Sequence, residues 1–339
     1  MQNELLTLLP KVTPRRLWNA AKIFASYTLS KAIKSPVVWG KPISVSYEPT
    51  NYCNLRCPEC PSGLRSMARP TGTTDDLDTY RQLLSELAAE SLYVQLYFQG
   101  EPYLNPKFFE MVETATAHNL YSSTSTNAHY LTDEHCKHTI DAGLDKLIIS
   151  IDGTTQQSYE TYRVGGDLET VLEGTRNLIA WKKKLNARKP YTVFQFVVFA
   201  HNEHEVEEVK RLGEDIGVDQ VTIKTAQVYD FKAGNALIPS ESVYSRYEKQ
   251  TDGSYQIKSS LEDHCWHLWQ ASVITWDGRV VPCCFDKDAK YETGRLTENR
   301  FAEIWTSEKY QAFRQAVLRG RKNIDICQNC NEGLTVFAD

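Results

Sequence analysis

Cys53, Cys57 and Cys60 fall in the stretch Tyr47-Glu-Pro-Thr-Asn-Tyr-Cys-Asn-Leu-Arg-Cys-Pro-Glu-Cys60. Three thiols this close in sequence turn toward one centre only on a tight loop. Thiolate sulfur is soft, so such a loop suits zinc or an iron–sulfur cluster. The count of three carries information. A structural zinc site closes with four ligands, and the next Cys or His in the chain is His118. A four-iron cluster held by three thiolates keeps one iron open for a ligand; a zinc knuckle completed from a distance is the alternative. A second set follows: Cys265, Cys283, Cys284, Cys327 and Cys330. Cys327-Gln-Asn-Cys330 is a chelating pair, and Cys265, Cys283, Cys327 and Cys330 suffice to close one site, either a zinc ribbon or a fully ligated iron–sulfur cluster.

The elements that must position these residues alternate regularly. Strand-like runs lie at 43–47, 93–98, 120–125, 146–151, 192–199 and 220–225. Helical patterns between them are marked by Leu77, Tyr80, Leu84 and Leu87, by Leu168, Val171, Leu172 and Leu178, and by Val206, Val209, Leu212 and Ile216. Thr74, followed by Asp75 and Asp76, is the expected start of the first. Alternating strands and helices require a parallel sheet, because each return needs a crossover; periodicity alone leaves a doubly wound sheet and an incomplete barrel open. Residues 226–263 are rich in turn formers and read as a linker or a lid. Ile274 to Cys283 reads as a hairpin turning at Asp277-Gly278, and Phe301, Ile304, Trp305, Phe313 and Val317 mark an amphipathic helix after it.

Composition bounds the class. The chain has 339 residues and a net charge of −5, with 41% hydrophobic and 24% charged residues, which is ordinary for a globular protein and gives no electrostatic reason to bind nucleic acid. Nine cysteines in metal-ligand spacings favour a reducing, cytoplasmic setting, and the N-terminus lacks the pattern of a secretory signal. Residues 1–42 hold seven Lys or Arg against Glu4, a net of +6, leaving −11 for the rest. Within them, Leu17, Trp18, Ala21, Phe24, Tyr27 and Ala32 predict a basic amphipathic helix over 14–33. Packing across the bottom of the main domain is the first reading; peripheral contact with the inner face of a membrane is the second.

Cys-x-x-x-Cys-x-x-Cys after a first strand resembles the signature of the radical S-adenosylmethionine (radical SAM) enzymes, whose open iron binds S-adenosylmethionine and whose reduced cluster releases a 5′-deoxyadenosyl radical. The resemblance implies a partial (β/α)6 barrel over 43–225 and catalytic cluster ligands Cys53, Cys57 and Cys60. Gln99-Gly100-Glu101-Pro102 is similar to the family's Gly-Gly-Glu-Pro segment, which implies that Glu101 binds the methionine ammonium, with Gln99 in place of the first Gly. Ser125-Thr126-Asn127-Ala128 resembles a Thr-Asn-Gly turn, with Ala128 implying no need for positive φ there. Ser150-Ile151-Asp152-Gly153 and Tyr162-Arg163 are likewise similar to family segments, implying cofactor contacts from Asn127, Ser150, Asp152 and Arg163. Glu59 stands where the family has an adenine-contacting aromatic, and Tyr52 or a residue of the sixth strand is the expected substitute.

The second cysteine set resembles the SPASM or twitch extension of these enzymes over 264–339. It implies one auxiliary four-iron cluster on Cys265, Cys283, Cys327 and Cys330, with Cys284 turned away from Cys283 and Cys136 a small core residue. The resemblance implies reduction by a flavodoxin- or ferredoxin-type donor. The expected reaction is net oxidation of a small or lipid-linked metabolite, the first 42 residues being too short for a winged-helix leader-peptide module. Peptide or protein modification, as in sulfatase maturases, is the alternative, and a zinc-stabilised binding protein a third.

Overall fold

The computed structural model describes residues 2–332 and 334 of the chain. Its strands are β1 (Ser44–Tyr47), β2 (Tyr93–Gln95), β3 (Tyr121–Thr126), β4 (Lys146–Ser150), β5 (Tyr191–Val198), β6 (Gln220–Thr225), β7 (Tyr247–Lys249), β8 (Tyr255–Ile257), β9 (Ala271–Ile274), β10 (Arg279–Val281) and β11 (Gly294–Arg295). The helices are α1 (Gln2–Leu8), α2 (Pro14–Ile33), α3 (Pro61–Leu64), α4 (Asp78–Leu87), α5 (Phe108–Ala117), α6 (Asp133–Asp141), α7 (Gln156–Tyr162), α8 (Leu168–Lys184), α9 (Val206–Ile216), α10 (His267–Gln270), α11 (Phe301–Trp305) and α12 (Glu308–Gly320).

β1 to β6 pair in order and in parallel, with α4, α5, α6, α8 and α9 in the crossovers, as a partial barrel requires. Val45, Val94, Leu147, Ile149, Phe194 and Phe196 of these strands are buried in the core, while burial alternates along β1 and β2. β9 joins this sheet parallel to β1, with Ser44 opposite Ala271 and Tyr47 opposite Ile274. β10 and β11 then extend the sheet antiparallel. The C-terminal hairpin is therefore part of the core sheet, and the sequence pattern had no means of showing that.

Four expectations need correcting. The first crossover helix starts at Asp78; Thr74 instead donates its hydroxyl to the Glu48 and Trp276 carbonyls, tying the chain to β1 and the hairpin. The single C-terminal amphipathic helix is two, α11 and α12, because the Ser307 hydroxyl accepts from Tyr310 N and restarts the helix. Residues 226–263 contain the β7–β8 hairpin, and Val228, Phe231, Ile238 and Tyr247 pack against Leu55, Cys57, Tyr162 and Phe199 at the barrel mouth. The predicted α2 forms from Pro14 to Ile33 and does pack across the bottom of the domain, but its buried residues are Arg16, Asn19, Ile23, Ser26 and Ser30. Arg16 donates to the Ala88 and Asn119 carbonyls and Asn19 to the Lys41 and Glu90 carbonyls. The polar stripe satisfies the exposed backbone at these helix and loop ends, and most of the apolar stripe is left facing outward.

At the end of β1, Glu48 is wholly buried. Its carboxylate takes both arms of Arg69, at 2.6 and 2.5 Å, and also accepts from Trp276 N of the hairpin. Burial pushes the Glu48 carboxyl up and Arg69 opposes the shift. Removing the cation alone strands a buried charge. Arg69→Met is expected to destabilise the protein by about 3–5 kcal/mol at neutral pH. The loss should shrink as the pH falls, because a protonated Glu48 tolerates burial, and adding Glu48→Gln should recover part of it. Urea unfolding of the parent and the two variants between pH 5 and 8 checks this; equal stability of Arg69→Met and the parent contradicts it.

Candidate active site

The C-terminal ends of β1 to β6 open on one face, the position of functional groups in parallel barrels, and the loop after β1 lies across it. Asn51 holds the loop by accepting from Gly72 N and donating to the Pro70 carbonyl. α3 then closes on it so tightly that a Cβ at Gly63 would sit 2.6 Å from Cys57 N. Gly100 has φ +76, and a Cβ there would meet the Thr50 carbonyl at 2.4 Å. The glycine thus lets the segment after β2 back onto the cysteine loop, where Glu101 N bonds the Tyr52 carbonyl at 2.8 Å.

Cys53, Cys57, Cys60, Gly100, Glu101, Asn127, Ser150 and Arg163 line one cavity of about 510 Å³. Glu101 is 2% exposed and accepts from Thr126 Oγ1, Asn127 N and Tyr103 N at 2.8, 2.7 and 3.2 Å. Burial nevertheless outweighs these bonds and raises its carboxyl to about 7. Asn127 donates to Asn54 of the cysteine loop. Ala128 has φ +63, contrary to the expectation of an ordinary turn. Its N–H is held by Thr126 Oγ1, and the Glu101 network over-determines the turn enough to hold a non-glycine residue there.

Two expected cofactor residues stand elsewhere. Asp152 is fully buried behind the wall, where it holds Arg163 Nε at 2.5 Å and accepts from Val197 N. Tyr52 is half exposed and faces a smaller pocket of about 240 Å³ with Asn51, Arg65 and Met67, which shares only Cys53 and Ser62 with the first cavity. Aromatic wall in the cavity comes instead from Tyr97, Phe98, Tyr162 and Phe199, with the last two rings 4.0 Å apart. Glu59 does not reach for a ring; it accepts from Tyr229 N. Sequence reasoning also missed Lys224, Arg246 and Lys287, the other cations on this wall. The last two come from the mouth-covering segment and from beyond Cys283, and no local pattern marks them.

A second cavity of about 630 Å³ adjoins the first and shares Glu59, Pro61, Gln227 and Lys287 with it. It runs between the β1 loop and the C-terminal segment, bounded by Leu64, Phe231, Phe285, Ile326 and Asn329.

Cys265, Cys283, Cys327 and Cys330 line one small space with Leu268, Phe313, Val317 and Arg321. Burial pushes Cys265 up to about 12 and Cys327 up to about 11, while Arg321 favours the thiolates of Cys327 and Cys330. Cys53, in the first set, is likewise pushed up to about 12. Buried thiols around a space fit a group that brings its own positive charge. Among the described residues no three His, Cys, Asp or Glu side chains converge as closely as a single ion demands, with zinc–sulfur bonds of about 2.3 Å. A cluster brings that charge, with one iron to each thiolate. Cys284 does not turn away from Cys283 as expected: the strand stops at Val281, the chain turns, and Cys284 interacts with both Cys283 and His267. Cys136 is the buried core residue expected.

With this geometry in place, comparison with known proteins is informative. A family model described as the radical SAM superfamily matches residues 47–223, just over half the chain, and one described as an iron–sulfur cluster-binding (SPASM) domain matches 265–331. The chain is 28% identical over 295 residues to the tungsten-containing aldehyde ferredoxin oxidoreductase cofactor-modifying protein of Pyrococcus furiosus, covering 79% of this chain and 82% of that one. It is 29% identical over 260 residues to the PqqA peptide cyclase of Gluconobacter oxydans, covering 71% and 70%. The structure of Streptococcus suis SuiB bound to S-adenosylmethionine matches with a TM-score of 0.63 at 12% identity, covering 94% of this chain and 78% of that one, and so shares the fold.

The two cysteines that line neither thiol site differ in access: Cys284 is exposed and Cys136 is buried. In cluster-free protein, iodoacetamide is expected to label Cys284 under native conditions and to leave Cys136 unlabelled until urea is added. Peptide mass mapping reads both, and native labelling of Cys136 would contradict the packing described. The match over 47–223, on a partial barrel with three thiols after its first strand, places the chain in the radical SAM superfamily, with S-adenosylmethionine and a [4Fe-4S] cluster as cofactors and a SPASM domain for auxiliary iron–sulfur.

Proposed function

We propose that this chain modifies a peptide. When bound, S-adenosylmethionine and a cluster on Cys53, Cys57 and Cys60 supply a 5′-deoxyadenosyl radical that takes a hydrogen atom from a residue of that peptide. The observation that carries the reading is the pair of adjoining cavities. The first is bounded by the thiols and by Glu101, Asn127 and Ser150, so the cofactors take up much of it; the second leads outward for about 630 Å³ along the C-terminal segment. An extended chain needs such a groove and a small metabolite does not. The similarity to a PqqA peptide cyclase points the same way. This reading displaces the oxidation of a small or lipid-linked metabolite expected from the sequence.

The residues then have distinct tasks. Glu101 accepts the methionine ammonium. Asn127 and Ser150 line the cofactor's path, and Asp152 acts through Arg163, fixing it beside Cys57. Cys265, Cys283, Cys327 and Cys330 leave no open position around their space, so the second site suits accepting an electron from the substrate better than binding it. A flavodoxin- or ferredoxin-type protein supplies the first electron.

Two measurements test this. Glu101 must be ionised to pair with an ammonium, and its carboxyl lies at about 7 in the free protein. S-adenosylmethionine should therefore bind most tightly above pH 7 and about tenfold more weakly for each unit below it. Glu101→Gln should weaken binding at pH 8 by about 1–3 kcal/mol and lose this limb of the profile; an unchanged profile removes Glu101 from the role. For the substrate, the chain is co-expressed with short peptides encoded beside its gene and the peptides are weighed. Loss of two hydrogens from one peptide supports the reading. Gln227→Trp, which narrows the passage between the cavities, should abolish that product while 5′-deoxyadenosine release persists. Unchanged peptides throughout, with a small metabolite consumed instead, overturn it.

A further inference from the structure

We propose that the N-terminal helices dock the enzyme on an anionic lipid surface, with the barrel mouth turned away from it. In α2, Arg16, Asn19, Ile23, Ser26 and Ser30 follow the helical repeat and bury one stripe. The opposite stripe carries Leu17, Trp18, Ala21, Phe24, Ala25, Leu29 and Ala32, spread over an arc of about 140° at 100° per residue. Leu17, Trp18 and Phe24 are 59%, 67% and 62% exposed, although all three are apolar. Leu5, Leu6, Leu9, Ile33 and Trp39 are exposed in the same N-terminal segment. No other part of the described chain exposes so many large apolar side chains together, and a patch of this kind marks an interaction site.

The charge around the stripe selects the occupant. Arg15, Lys22 and Lys41 share a single carboxylate, Glu90, at 3.9, 3.9 and 3.2 Å, which leaves them in excess. Lys31 and Lys34 carry no ion pair among the described residues. The first 42 residues hold +6 in a chain of −5. Tryptophan and phenylalanine on a broad apolar face, flanked by lysine and arginine on both sides, match an interface of acyl chains beneath anionic headgroups. A second negatively charged copy of the chain would satisfy the cations but offers no matching apolar face outside this segment. Among the described residues no helix is long and apolar enough to cross a membrane, so the contact is in-plane.

The orientation follows from the packing. Arg16 and Asn19 bind carbonyls just before β2, β3 and β1, and the far end of α2 reaches His264 and Trp269, just before β9. α2 therefore runs beneath the N-terminal strand ends, opposite the cysteine loop. A bilayer held there leaves the mouth open to water.

The test is sedimentation of the cluster-loaded enzyme with phosphatidylglycerol–phosphatidylcholine vesicles and with phosphatidylcholine alone. The expected result is binding to the anionic vesicles, at least tenfold weaker for phosphatidylcholine and for buffer of high salt. Leu17→Glu/Trp18→Glu/Phe24→Glu should lose vesicle binding, and Lys31→Glu/Lys34→Glu should lose most of it, both with unchanged 5′-deoxyadenosine release. No binding by the parent, or equal binding by the triple variant, overturns the proposal. So does a dimer of the parent in gel filtration that the triple variant converts to monomer, since the face is then covered by a second copy.

Discussion

The pairing of β9 against β1 is the constraint on which the rest of the molecule depends. β1 carries the first cysteine loop from its end, and β9 leads through its hairpin to Cys283. Without that pairing, β1 would be a bare edge and the two cysteine sets would be joined only through the segment over the mouth. With it, one hydrogen-bonded ladder fixes both, and Glu48 N continues the ladder to the Ile274 carbonyl at 2.9 Å. The buried Glu48–Arg69 pair sits on the same seam, and Arg69 also donates to the Lys287 carbonyl, so the charge pair and the sheet register specify the same arrangement.

Beyond that seam, the site is assembled by groups that are costly in isolation. Glu101 is buried without a full counter-charge, Ala128 occupies a left-handed conformation, and Arg163 on the cavity wall is paired with the buried Asp152. Each is held by neighbours that also shape the cavity: Thr126 bonds both Glu101 and the Ala128 N–H. An ammonium group placed against Glu101 would relieve the desolvation that now holds its carboxyl up. The cost is carried by the fold in the free protein and released when a cation arrives, which is the expected economy of a binding site.

How much of this was legible in the sequence depended on distance along the chain. The cysteine spacing, the six core strands, the Asp277-Gly278 hairpin and α2 are local, and local patterns found them. The side of α2 that faces inward was not readable, because periodicity locates an apolar stripe without saying what covers it. At Ala128 the residue type pointed away from positive φ, and a network spanning Glu101 to Asn127 overrode it. β9 beside β1, Arg246 and Lys287 on the cavity wall, and Thr74 on the hairpin all join residues far apart in sequence; no window of one chain contains them. Asp152 was expected at the cofactor from its resemblance to a family segment, but it lies past the end of β4, where Arg163 Nε and Val197 N take up its carboxylate.

Lys287 is drawn toward both Cys60 and Cys284, and Arg246 lies near Cys330, so these two side chains stand between the two cysteine sets. Burial works against the charge of both. Arg163 and Arg321 perform the matching service for Cys57 and for Cys327 and Cys330. Thiolate-bound clusters carry negative charge, and Arg163, Arg321, Lys287 and Arg246 would offset it at the two sets. The same two cations also border the passage between the cavities or its inner wall, where Glu59 is the one acid shared by both cavities. The second cavity itself carries both signs, with Glu59, Asp230, Asp286, Asp288 and Asp325 set against Lys232, Lys287 and Lys290, so an entering group meets mixed charge there and reaches Arg246, Lys224 and Arg163 only in the first cavity.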